Sequence, residues 1–162
     1  MNGSRSVTTY IAELNARLAM LTGEKLTGPA LSLQQNAFTY LHQSALDEYK
    51  EILKAQKEGV KFTGVSGSIL QYLYLIAISG EQVAAANKAA YTYYLSKVGE
   101  LLTSPSMDTK AIAAIVLDKA GRKKEAQEFV ASLKEFLTKT DEQGMFFAFN
   151  ENPYTWGGMQ MQ

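Results

Sequence analysis

Apolar residues recur along this chain at helical rather than strand spacing, and short runs of Gly, Ser and Pro divide the segments that carry them. The first segment, residues 6–21, carries Val7, Ile11, Leu14, Leu18 and Leu21 as one apolar stripe, and "TGEKLTGP" interrupts it. A long second helix is expected over residues 29–58. Pro29 stands in its first turn, where a missing N–H costs little, and Phe38, Leu41, Ala45, Tyr49 and Ile52 form its stripe. "GVKFTGVSG" closes it. Residues 66–79 differ in kind: "ILQYLYLIAIS" is apolar almost all round, the mark of a helix buried on most sides. Residues 81–102 return to a one-sided pattern, with Tyr91, Tyr94, Leu95, Val98, Leu101 and Leu102 on one face. In "TSPS", Ser104 and Pro105 stand where a cap and a first turn belong. Residues 106–120 carry "AIAAIVL", again apolar nearly all round, and Gly121 is a natural left-handed stop. Residues 122–140 read as a last amphipathic helix through Ala126, Phe129, Val130, Leu133, Phe136 and Leu137.

These segments make three hairpins, and in the last two a wholly apolar helix precedes a one-sided one. An α/β protein does not alternate this way, nor does a simple four-helix bundle, in which every helix is amphipathic. Two layers of helices do: neighbours and an outer layer cover the inner one, and the outer layer shows one face to water. The expected fold is therefore all-α, a two-layer array of helical hairpins of the α-solenoid or partial α/α-toroid kind. Its hairpin period is about 40 residues, from near Ser66 to near Ser106. Residues 69–78 and 111–117 belong in its interior. Residues 1–162 form one domain, and residues 141–162 form a non-helical aromatic tail containing Phe146, Phe147, Phe149, Tyr154 and Trp156. "MFFAF" has the makings of a short strand. Packed, the tail caps the open end of the last hairpin; exposed, Phe147, Tyr154 and Trp156 are a candidate protein-contact surface.

Composition narrows the partners. Sixteen basic and sixteen acidic residues cancel over 162 residues, so no net field draws in nucleic acid or an anionic membrane, and neither is expected as a partner. No apolar run is long enough to span a bilayer, and "MNGSRSVTT" has no apolar core of a signal peptide. Cys is absent, which excludes disulfides, thiolate metal sites and a Cys nucleophile in this chain. His42 is the single His, and its helical neighbours Phe38, Thr39, Ala45 and Leu46 offer no ligand or acid/base partner, so it reads as a helix-surface or boundary residue. The carboxylates (Asp47, Glu48, Glu51, Asp108, Asp118, Glu125, Glu128, Glu135, Asp141, Glu142) read mostly as outer, solvated faces, with Glu128 and Glu135 mixed among Lys124 and Lys134. "GVSGS" misses the spacing of a nucleophile elbow. "KFTGVSGS" lacks the Gly-Lys-Ser/Thr of a phosphate loop. No catalytic residue, metal or cofactor is expected.

The stretches "SVTTYIAELNARLAML", "SILQYLYLIAI", "AIAAIVLDKAGRKKEAQEFVASLKEFL" and "TDEQGMFFAFNENPYTWGGMQMQ" resemble the helical α/α-toroid domain of bacterial alpha-2-macroglobulin-like proteins, the thioester or complement-like domain. The likeness covers nearly the whole chain. It is most specific in the "AGRKKEA" helix turn, the "DEQGM" turn and the aromatic Tyr/Trp loop. The resemblance implies a non-enzymatic piece of a larger toroid in a cell-envelope protein, periplasmic or surface-exposed, that traps and inhibits proteases. Its partners would be other domains of the parent protein and, through it, proteases, with self-association through exposed ends. The family's Cys-x-Glu-Gln thioester motif has no counterpart here: Glu81-Gln82 and Glu142-Gln143 lack the Cys. A second expectation is an α-solenoid protein-interaction scaffold, since "LDKAGRKKEAQEFV" is similar to a tetratricopeptide hairpin, although the second helix is too long for that repeat.

Overall fold

The computed structural model describes residues 4–142 and 144–147. Its helices are α1 (Arg5–Thr22), α2 (Gly28–Lys57), α3 (Gly67–Ser79), α4 (Lys88–Lys97), α5 (Met107–Lys119) and α6 (Lys123–Lys134). Short 3-10 turns at Ala85–Asn87 and Val98–Thr103 flank α4, and a hairpin of β1 (Leu137–Thr140) and β2 (Gly144–Phe147) follows α6.

The axis of the fold is α3. Ser66 caps it by accepting from the Ile69 N–H, and Gly80 ends it in the left-handed region at φ 70°. Between them Ile69, Leu70, Tyr72, Leu73, Tyr74, Leu75 and Ile76 are all buried. A helix apolar on every side needs neighbours on every side. It has α1 on one flank and α5 on the other, with α4 packed against it as well. So α1, α3 and α5 form one row. The second row is α2, which packs on α1; α4 with the 3-10 turn that follows it; and α6, which packs on α5. Each fully buried Leu or Ile contributes about 1.5–3 kcal/mol, so α3 supplies much of the stabilisation. The expected interior residues of α5 hold as well: Ala113, Ala114, Val116 and Leu117 are buried, with Ile115 turned outward.

Four expectations are corrected. First, the α1 stripe faces out: Val7, Ile11, Leu14, Leu18 and Leu21 are 38–82% exposed, while Thr9, Ala12 and Ala16 are buried. Small residues let α1 lie close to the bulky α3. Polar ties fix its rotation: Arg5 donates to Glu48 at 2.6 Å, Arg17 to the Tyr74 hydroxyl at 3.2 Å and Asn15 to the Ala30 carbonyl at 3.4 Å. Second, the fourth helix is short, broken by its flanking 3-10 turns. Gly99 lies in the second turn, where the Glu125 carboxylate comes within 3.3 Å of the place a Cβ would occupy. Third, Ser106 rather than Ser104 caps α5, accepting from the Thr109 N–H, while Ser104 accepts from the N–H of Ser106. Fourth, the last helix stops at Lys134. β-branched Thr138 and Thr140 pair with an aromatic partner strand instead, in register Leu137↔Phe147 to Thr140↔Gly144, with Gly144 at φ 72°.

Cross-links bind the hairpins together. Glu48 of α2 takes a hydrogen bond from Arg5 of α1 and one from Ser66 at 3.2 Å, just before α3. The Tyr94 hydroxyl of α4 donates to the Ala45 carbonyl of α2 at 2.9 Å. Arg122 clasps Glu125 through two nitrogens and donates to the Leu95 carbonyl of α4 at 2.6 Å.

Leu75→Ala should cost about 2–5 kcal/mol in urea denaturation, because Leu75 is fully buried. Leu33→Ala, on an exposed part of α2, should change stability by less than about 0.5 kcal/mol. Equal losses at both positions would contradict α3 as the interior element.

Candidate functional site

His42 is buried rather than at the surface. Its Nδ1 lies 2.7 Å from the Tyr72 hydroxyl and its ring stacks on Phe38. Burial pushes the Tyr72 phenol well above its ordinary range, so the phenol keeps its proton. The other ring nitrogen, Nε2, has no hydrogen-bond partner and lies 3.8 Å from the Glu81 carboxylate, an acceptor that favours the proton of neutral His42 on Nε2 and leaves Nδ1 to accept from the Tyr72 hydroxyl. Burial lowers the His42 pKa, and the charge of Glu81 opposes this in part. The trio is a packed polar seam between α2, α3 and the start of the next segment, and it lines neither the α5–α6 concavity nor the one between α2 and α4.

Lys110 is also buried. Its amino group donates to Ser132 at 2.8 Å and sits 5.1 Å from the centre of the Phe136 ring. A Ser beside a Lys has the bare geometry of an activated nucleophile. The ammonium over an aromatic face reads as a clip holding α5 to the end of α6. The sequence carried a faint signal for it, since Lys110, Ala113, Ala114 and Leu117 share one helical face. Among the described residues no group of His, Cys, Asp and Glu is arranged to hold a metal ion, and no helix is long and apolar enough to cross a membrane.

Two concavities remain. One, of about 340 Å³, runs between α5 and α6 over Ala114, Ile115, Ala126 and Val130. Its rim holds the Lys123–Asp118 pair at 2.6 Å. The other, of about 440 Å³, lies between the C-terminal half of α2, the segment before α3 and α4. Phe62, Val65, Tyr93 and Tyr94 wall it, and Glu48 and Glu51 stand at its edge. Glu48 is already engaged by Arg5 and Ser66. An apolar floor inside a polar rim suits the side chains of another protein surface better than it suits bond-making chemistry.

Of the expected contact residues, Phe147 lies on β2, 38% exposed and opposite Leu137. Tyr154 and Trp156 lie outside the described residues. Exposed Phe136 precedes the same hairpin, and exposed Met145 lies on its second strand. The larger apolar surface is elsewhere, on α1, where Val7, Tyr10, Ile11, Leu14, Leu18, Met20 and Leu21 are all open. Its residues were visible in the sequence as a stripe; that the stripe points outward was not.

The linkage of His42 sets a pH dependence. Its folded pKa lies below the ordinary 6.5, so between the two values the unfolded chain binds the proton and the folded one does not. Stability is then full above the ordinary value and falls as pH drops through it. Chemical denaturation from pH about 7.5 to about 5.5, across the ordinary His range, should show a steeper loss for the native chain than for His42→Gln. Parallel profiles would contradict a buried neutral imidazole.

Comparison of the chain with protein-family models, with curated proteins and with solved structures finds no match.

Proposed function

We propose that this chain is a non-enzymatic docking domain. More specifically, we read it as the helical-array part of a bacterial alpha-2-macroglobulin-like protein, serving protease trapping at the cell envelope without a thioester of its own. The observation that carries the reading is the order of the rows. Helices α1, α3 and α5 stand side by side with α2, α4 and α6 behind them, and each end of the row offers apolar surface: the outward face of α1 and the α5–α6 groove. A stacked array is completed by what packs on its ends, as a toroid is by its next hairpin. The sequence likeness in "AGRKKEA" and "DEQGM" gives the family reading its specific content. The absence of Cys from the chain leaves any trapping to conformational closure or to residues elsewhere in the parent.

A second reading, an α-solenoid interaction scaffold, draws on one feature. The tight α5–α6 hairpin turns at Gly121 with φ 80° and buries Ala126 at the entry to α6, as tetratricopeptide hairpins do. The 30-residue α2 departs from that repeat.

The test uses the full polypeptide that the gene encodes, incubated with trypsin. The macroglobulin reading expects faster migration on native gels after limited cleavage. It also expects residual trypsin activity on a small peptide substrate together with at least about tenfold loss on casein, since a caged protease is shielded from large substrates only. Unchanged mobility with full activity on casein would sink it. An interaction scaffold would leave both protease activities untouched.

A further inference from the structure

The exposed residues of α1 are spaced too regularly for an incidental patch. Val7, Ile11, Leu14, Leu18 and Leu21 follow one another at intervals of four, three, four and three, which is the a/d repeat of a coiled-coil seam. In that register Ile11 and Leu18 are a positions, and Val7, Leu14 and Leu21 are d positions. The buried residues Thr9, Ala12 and Ala16 occupy f and b, on the opposite side. The helix therefore has two apolar faces with different jobs. The small-residue face is used inside the fold against α3 and α2. The large-residue face is used by nothing among the described residues.

A stripe of this spacing suits the face of another helix, because each knob enters a hole formed by four residues of the facing helix. We propose that the occupant is α1 of a second copy, paired antiparallel across a two-fold axis. Three observations select a second copy. The seam is flanked by Thr8 and Asn15 on one edge and by Tyr10 and Arg17 on the other. Arg17, the only charge among these four, is neutralised by Glu13 at 2.7 Å. Two copies therefore meet without opposed like charges, and the formal net charge of zero adds no long-range repulsion. The open side chains of Val7, Tyr10, Ile11, Leu14, Leu18 and Leu21 offer on the order of 600 Å², the upper end for a patch on a monomer. Doubled by symmetry, the area is at most about 1,200 Å², at the lower bound for a specific interface.

Antiparallel pairing follows from the flanks and the helix ends. It sets the opposed helix dipoles against each other favourably and matches a to d, with Ile11 across from the partner's Leu14 and Val7 across from the partner's Leu18. It also sets the Tyr10–Arg17 edges of the two copies together along one side of the pair and the Thr8–Asn15 edges together along the other. A parallel pair would leave Tyr10 and Arg17 against Thr and Asn. This inference goes beyond the docking role proposed above and gives the α1 face a second copy where the toroid reading gives it a further hairpin; it is read by association of the chain alone, the other by protease activity.

Sedimentation equilibrium from about 1 µM to about 500 µM spans the range expected of a minimum-size interface. It should give a monomer–dimer equilibrium. Ile11→Glu with Leu14→Glu should weaken it by at least about 100-fold while leaving the thermal unfolding of the monomer unchanged, because both positions face water. The chain has no Cys, so orientation can be read directly. Under mild oxidation a mixture of Ile11→Cys and Leu14→Cys chains should give the mixed disulfide dimer, and exposed Gln43→Cys on α2 should not. A strict monomer across the range, or a dimer that survives the double Glu variant, overturns the proposal. So does a chain that dimerises only after residues 148–162 are deleted, which would make that segment the occupant of the seam.

Discussion

Helix α3 has no side to give to water, and the rest of the molecule is arranged to meet that demand. Its seven consecutive or near-consecutive buried residues require packing partners around the full circumference, which a single helical hairpin cannot supply. Two flanking helices and a second row can. The alternation of wholly apolar and one-sided helices is thus the same constraint seen in sequence form: the one-sided helices exist to cover the others. Stability here depends on completing a shell around one rod more than on any individual polar contact.

Polar contacts decide how the covering helices are oriented. Glu48 receives Arg5 and Ser66 and so fixes three helices at one point. Two buried nitrogens of Arg5 have no partner, a desolvation cost that keeps this ion pair from being a large net stabiliser. Its value lies in setting angle and register. The rotation of α1 follows from it, and with it the choice of which apolar face is spent on the interior and which is left over.

Much of the architecture was legible in the residues. The buried runs in α3 and α5, the stripe of α2 through Phe38, Leu41 and Ala45, and the left-handed stop at Gly121 were all visible as local patterns, because each depends on near neighbours in the chain. What failed were the non-local choices. The α1 stripe looked like a core face because periodicity reports that a face exists, not which body it meets. The Arg5–Glu48 tie spans 43 positions and leaves no local trace. His42 reads locally as a helix-surface or boundary residue because its partners Tyr72 and Glu81 lie far along the chain. The last helix was read too long because Phe136 and Leu137 continue its period, whereas the pairing of Thr138 with Phe146 overrides it. As for function, the candidate contact residues share no constellation that local spacing could reveal: of the three, only Phe147 is described, and the broadest apolar face belongs to another helix.

The Arg122 clasp has a mechanical consequence. By holding the start of α6 to the last turn of α4 through the Leu95 carbonyl, it welds the final hairpin to the one before it, so the short 104–106 link cannot serve as a pivot. The junction before it is held in the same way: Arg5 and Ser66 meet on Glu48, Tyr72 meets His42 and Tyr94 reaches the Ala45 carbonyl. The loop from Gly59 to Gly64, with φ angles of 88° and 66° at its ends, is itself tied down where the Gly64 N–H donates to Glu100. A load applied to one hairpin is therefore handed on to the next instead of being absorbed in a link.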